Sequence, residues 1–109
     1  MNEIKYILAD FLDEFKRVDL KEKARLIEKF PFPEVTEPKY CAYTAAMVEE
    51  LCFRNGMPIP DWVFDRQFSL SEPFFVGGLE SIKAFLIAES PLPFRRRNIF
   101  VSANVLERA

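Results

Sequence analysis

Three consecutive arginines, Arg95, Arg96 and Arg97, are the densest concentration of chemistry in this chain. They lie between Phe94 and the run Asn98-Ile99-Phe100, an unusual setting for a solvated charge cluster. A guanidinium is a planar fork of donors that fits carboxylates and phosphates. Two uses of the triplet follow. It can staple the closing loop to the body by pairing with Glu80, Glu89, Asp61 or helix C-terminal carbonyls, its stems covering apolar surface. Alternatively, with Asn98 and a neighbouring aromatic, it can hold an acidic partner or phosphates. A second group of residues suited to recognition is aromatic: Trp62, Phe68, Phe74 and Phe75. Buried aromatic and arginine anchors dominate protein interfaces, so Arg95, Arg96, Arg97, Asn98, Trp62, Phe74 and Phe75 are the candidate binding residues.

The remaining reactive groups point away from catalysis. Histidine is absent and there are two cysteines, so His-dependent triads and His or four-cysteine zinc sites are excluded. Neither cysteine has an imidazole base to activate it. Asp13-Glu14 and Glu49-Glu50 are paired carboxylates, but adjacent helical positions diverge by about 100° and read as solvated faces. Asp61 and Asp65 can share a face, yet lack the further oxygens a cation needs. Gly77-Gly78 has no following Lys-Ser/Thr, and no serine stands in a nucleophile elbow. The expectation is a protein that is not an enzyme and takes no cofactor or metal.

The elements that must position these residues are mainly helical. Ile4, Ile7, Leu8, Phe11, Leu12, Phe15 and Val18 form one stripe at helical spacing. Asp19 with Glu22 is a capping-box variant that opens a second helix, with Leu20, Ala24, Ile27 and Phe30 inward. Pro31 and Pro33 end it, so residues 1–30 read as an αα-hairpin. Thr36 or Glu37 caps a third helix, with Pro38 in its first turn and Tyr40, Cys41, Thr44, Ala45, Val48, Leu51 and Cys52 inside. Small residues Ala42, Ala45 and Ala46 permit close helix approach, and Asn55-Gly56 supplies a left-handed stop. Residues 57–78 form a long aromatic-rich connection with at most a short helix over 61–65. A fifth helix is expected over 79–89, interrupted at Ser90-Pro91. The tail 93–101 reads as loop or short strand, and Ser102 can cap a last turn. The fold class is therefore all-α, a single domain over 1–109 built as a small irregular bundle of about five to six helices. A minor alternative pairs Phe68–Val76 with Ile99–Val101 as a two-stranded sheet.

Composition agrees with one folded domain: 109 residues, 50% hydrophobic and 29% charged. Phenylalanine is the outlier, at 12 residues beside three tyrosines and one tryptophan. Each buried aromatic removes about 150–250 Å² from water, so the excess reads either as an aromatic-rich core with partly exposed edges or as a surface that a partner covers. A net charge of -2 lacks the broad basic footprint of nucleic-acid binding. No signal peptide or membrane-length apolar run is visible. Cys41 and Cys52, about 16 Å apart along one helix, cannot bridge. They read as buried thiols in a reducing cytoplasm.

From Pro38 onward the chain resembles an uncharacterised family of small bacterial proteins. The resemblance rests on Ala42-Tyr43-Thr44-Ala45-Ala46 with Glu49-Glu50-Leu51, on Pro60-Asp61-Trp62-Val63 and on Pro73-Phe74-Phe75-Val76. It rests above all on Glu89-Ser90-Pro91, Phe94-Arg95-Arg96-Arg97-Asn98-Ile99-Phe100-Val101 and Ala103-Asn104-Val105-Leu106. Such segments occur alone or behind helix-turn-helix domains, some beside nucleotidyltransferase-like genes in a toxin–antitoxin-like arrangement. What the resemblance implies is a regulatory or companion role, with no catalytic residues. Here a short αα-hairpin stands where fused members carry a DNA reader. The expected function is thus a cytoplasmic, non-enzymatic interaction module that meets a protein partner or a second copy of itself. The alternative is a nucleic-acid-linked transcriptional regulator using the arginine cluster.

Overall fold

The architecture follows from one helix that is buried on every side. In a computed structural model of the protein, which describes residues 2–76 and 90–101, α3 (Pro38–Asn55) has every residue from Ala42 to Cys52 buried. A helix covered all round must be the central element of its domain. Its alanines, Ala42, Ala45 and Ala46, are fully buried and let neighbours approach closely. Pro38 occupies the first turn and Gly56 ends the helix at φ 64° in the left-handed region. Glu37 is the N-cap, but its side chain makes no capping bond.

Two helices precede it. In α1 (Asn2–Arg17), Phe11, Leu12 and Phe15 are buried as the periodicity requires. Asp19 accepts a hydrogen bond from the Glu22 amide at 2.9 Å and so opens α2 (Leu20–Leu26) as the capping signal indicated. The inward face expected for α2 is corrected in three respects. The helix stops at Leu26, short of Phe30, Leu20 is 60% exposed, and Ala24 is exposed as well. Ile27, just past the helix, is buried, and Phe30 packs edge-on or stacked against Phe32, Trp62 and Phe68. The chain therefore uses the aromatic residues after the helix, more than the helix itself, to reach the core.

Residues 57–76 wrap α3 through two 3₁₀ turns, Asp61–Phe64 and Arg66–Phe68, the second capped by Asp65. Val63 and Phe68 point into the core. The tail expected as loop or strand instead begins with a short helix, α4 (Leu92–Arg96), started by Pro91 and Pro93, which suit a first turn. Asn98 then turns the chain at φ 70°, a conformation that asparagine tolerates better than most residues. The turn delivers β2 (Ile99–Phe100) parallel to β1 (Phe74–Phe75), with Phe74 opposite Ile99 and Phe75 opposite Phe100. This is the two-stranded alternative realised over two residues per strand within a mainly helical fold. Four α-helices are present among the described residues, and the expected helix 79–89 and the Ser102 cap lie outside them.

The core joins these elements continuously: Phe15, Ile27, Met47, Val48, Val63, Phe94, Ile99 and Val101 are all essentially inaccessible. Each such side chain contributes about 1.5–3 kcal/mol of burial free energy. Among the described residues, no helix is long and apolar enough to cross a membrane.

Candidate functional site

A helix buried on all sides cannot leave its polar residues unpaired, because an unpartnered buried charge is strongly destabilising. α3 carries three polar side chains over its buried span. Thr44 donates its hydroxyl back to the Tyr40 carbonyl at 2.8 Å. Glu50 accepts from Arg54 Nε at 2.8 Å, one turn along the same helix. Glu49 reaches a different element and is bonded by both Arg96 and Arg97. The reading of Glu49-Glu50 as a solvated face is therefore overturned: both residues are under 9% exposed.

Arg97 is the hub. Its guanidinium donates to Glu49 Oε1 at 2.7 Å, to the Val63 carbonyl at 2.7 Å and to the Pro93 carbonyl at 2.8 Å. One side chain thus ties α3, the first 3₁₀ turn and α4 together, and it is 3% exposed. The backbone at this point adds further ties. The Arg97 carbonyl accepts from the Leu70 amide at 3.2 Å, Asn98 Nδ2 donates to the Leu70 carbonyl at 3.3 Å, and the Asn98 carbonyl accepts from the Phe74 amide at 3.0 Å. Burial pushes the Glu49 carboxyl upward, but the hydrogen bonds and charges of Arg96 and Arg97 outweigh it and hold the group below its ordinary value. Burial likewise pulls the Arg97 guanidinium down, opposed by Glu49; an arginine so bonded remains charged throughout the usable pH range.

The three arginines therefore divide. Arg97 is internal. Arg96 bonds Glu49 while its side chain stays 45% exposed, and its guanidinium lies over the Phe64 ring at 5.8 Å from the centroid. The Arg95 side chain is exposed and has no hydrogen-bond or ion-pair partner among the described residues. Of the staple partners expected from sequence, a carbonyl is used, but the carboxylate is Glu49 and not Asp61; Glu80 and Glu89 lie outside the described residues.

The aromatic candidates are also placed. Trp62 is half-buried, packs on Phe30 and Phe68, and donates its indole N–H to the Ile27 carbonyl at 2.9 Å, which secures the end of α2. Phe74 meets Tyr40 edge-on with Lys39 5.4 Å from its ring centroid, and Phe75 stacks on Phe100 at 5.0 Å. These three rings mostly serve packing. No contact between Arg95 or Arg96 and these rings gathers them into one surface among the described residues; the ring that Arg96 meets is Phe64.

Besides Tyr6 and Leu20 on the first two helices, three large apolar side chains among the described residues are exposed, at positions that periodicity and motif left aside. Phe53 is 77% exposed, Phe64 54% and Leu92 58%. Phe64 lies beneath Arg96; Leu92 is one turn before Arg96 on α4; Phe53 is one turn after Glu49 on α3. Each stands within a helical turn, or a ring contact, of the Arg96–Glu49 pair. One signal for Phe53 was legible: a large aromatic off the inner stripe of its own helix has no place in that helix's core.

Two further groups are chemically quiet. Cys52 is fully buried, and burial together with the Glu49 charge pushes its thiol up to about 11. Cys41 donates to the Val35 carbonyl at 3.4 Å, and burial raises it too. Both thiols are free. Neither is in the electropositive, exposed setting that activates a cysteine. The chain matches no protein-family model, no curated protein and no solved structure.

Proposed function

We propose that the protein is a non-enzymatic interaction module of the cytoplasm, acting as a companion or regulator through a protein surface. The observation that carries this reading is the exposed Phe64 ring beneath the half-exposed Arg96, with the exposed Leu92 one turn before Arg96 on α4. Apolar side chains exposed at more than half their surface, adjoining an arginine whose stem and guanidinium are already held in place, resemble the anchor composition of protein interfaces. Pre-placement of Arg96 by Glu49 reduces the ordering cost of packing a partner against its stem and the Phe64 ring.

The nucleic-acid alternative draws less support. A phosphate-binding triplet needs its guanidinium groups outward, whereas Arg97 is internal and Arg96 shares its charge with Glu49. Only Arg95 presents a free cation at this point among the described residues. The companion role that the resemblance of the closing run to an uncharacterised bacterial family implies would be met by a protein partner.

The test is comparative capture. The intact protein and a Phe64→Ser/Leu92→Ser variant of matched thermal stability are used as baits and as self-association samples. A protein or second copy held by the first and released by the second supports the reading. Equal behaviour of the two contradicts it.

A further inference from the structure

The bonds of the buried Arg97 guanidinium each end beside a residue of the exposed surface. Nη2 donates to the Val63 carbonyl at 2.7 Å, in the peptide unit that carries Phe64. Nη1 donates to the carbonyl of Pro93, the residue after Leu92, at 2.8 Å. Nη1 also donates to Glu49 Oε1 at 2.7 Å, and the second oxygen of that carboxylate holds Arg96. Phe64, Leu92 and Arg96 are exposed, whereas Arg97 is internal and has no surface with which to meet a partner.

Local structure does not set the spacing of these three residues. Phe64 ends the first 3₁₀ turn, far before Leu92 in the chain, and α4 has five residues, too few to hold a helix unaided. Among the described residues no backbone hydrogen bond joins that turn to α4. A guanidinium is a rigid planar fork, so acceptors on its two arms are kept at a fixed separation. We propose that Arg97 is the positioning residue of the docking surface: from inside the domain it sets Phe64, Leu92 and Arg96 in place relative to one another. This rests on the reading of that surface as a docking site and adds what controls it. The surface exists only while the closing segment, residues 90–101, is docked through Arg97. A partner bound there stabilises that docking in return, because the coupling is reciprocal.

The test is a spectroscopic one on the full chain and needs no partner. The Phe64 ring beneath Arg96 shifts the NMR resonances of the Arg96 side chain, and Phe64→Leu supplies the unshifted reference in each background. Arg97→Lys keeps a cation opposite Glu49 but replaces the two-armed fork with a single ammonium. It is expected to fold, with the Phe11 and Phe15 resonances kept, and to lose most of the ring shift on Arg96. Glu50→Gln removes an ion pair on the same helix away from the fork, and is expected to keep that shift. Arg97→Met is the second variant, because it removes the fork and leaves Glu49 its bond to Arg96. A full shift in either folded Arg97 variant overturns the proposal, as does an equal loss in Glu50→Gln. A chain that folds in neither Arg97 variant makes Arg97 a requirement of the fold alone and overturns it too. If the Phe64→Ser/Leu92→Ser bait behaves like the intact one, the docking reading fails by itself, while the ring shifts still decide what Arg97 holds in place.

Discussion

Glu49 and Arg97 are 48 residues apart in the chain and 2.7 Å apart in space, and neither is more than 9% exposed at its side chain. This pair closes the fold. It joins the helix at the centre of the domain to the final segment, and Arg97 extends the same tie to Val63 and Pro93. A buried pair of this kind stabilises little against an apolar replacement of equal shape, but losing one partner leaves the other as an uncompensated buried charge.

Glu49→Gln is accordingly expected to destabilise the protein by about 3 kcal/mol, since it strands Arg97. Glu50→Gln, whose partner Arg54 lies on the same helix and is 31% exposed, is expected to cost about 1 kcal/mol or less. Urea unfolding of the two variants side by side measures the difference.

The pair also sets an acid limit. Glu49 is held below its ordinary value in the folded state, whereas in the unfolded chain it titrates near ~4.3. Its stabilising contribution is therefore complete above that unfolded value and is lost as pH falls through the lower folded one. Unfolding midpoints followed from pH 7 to about 3 are expected to fall for the natural chain. In Glu49→Gln the acid slope is expected to be shallower.

Asn98 sits at φ 70° where the chain turns from α4 into β2. Asn98→Ala is expected to cost roughly 1 kcal/mol through the left-handed backbone, with more from the lost bond to Leu70. Asn98→Gly removes the conformational part of that cost and loses only the side-chain bond. Thermal denaturation ranks the two, and an alanine variant as stable as the glycine one would contradict the turn's role.

Thiol reactivity gives an independent probe of the centre. Cys52 is fully buried and pushed up to about 11, so a thiol reagent at neutral pH is expected to leave it unmodified until the domain unfolds. Labelling followed by peptide mass mapping, in native buffer and in urea, checks this.

Much of the fold was legible because local chemistry and tertiary demand coincide. The Asp19 cap, the α1 stripe, Pro38 at the start of α3 and the left-handed Gly56 each act within a few residues, and each stands where the sequence places it. The misreadings arise where a distant partner decides. Glu49 looks solvated beside Glu50 because its counter-ions come from the far end of the chain. Leu20 looks inward on a helical wheel, but it opens an α2 of seven residues none of which is buried, and the rings of Phe30 and Trp62 beyond the helix make the packing instead. Arg95, Arg96 and Arg97 are one motif in sequence and three environments in space, because consecutive residues leaving a helix end point in different directions. The exposed Phe64 and Leu92 escaped notice since neither belongs to a periodic run long enough to show which face is outward.

The division of the arginine triplet is the claim on which the rest depends, and equilibrium unfolding of three single variants tests it most directly. Arg97→Gln is expected to lose about 3 kcal/mol or more, Arg96→Gln about 1 kcal/mol and Arg95→Gln less than about 0.5 kcal/mol. Equal losses at all three positions, or the largest at Arg95, would show that the triplet acts as a single surface cluster and would contradict the internal role of Arg97.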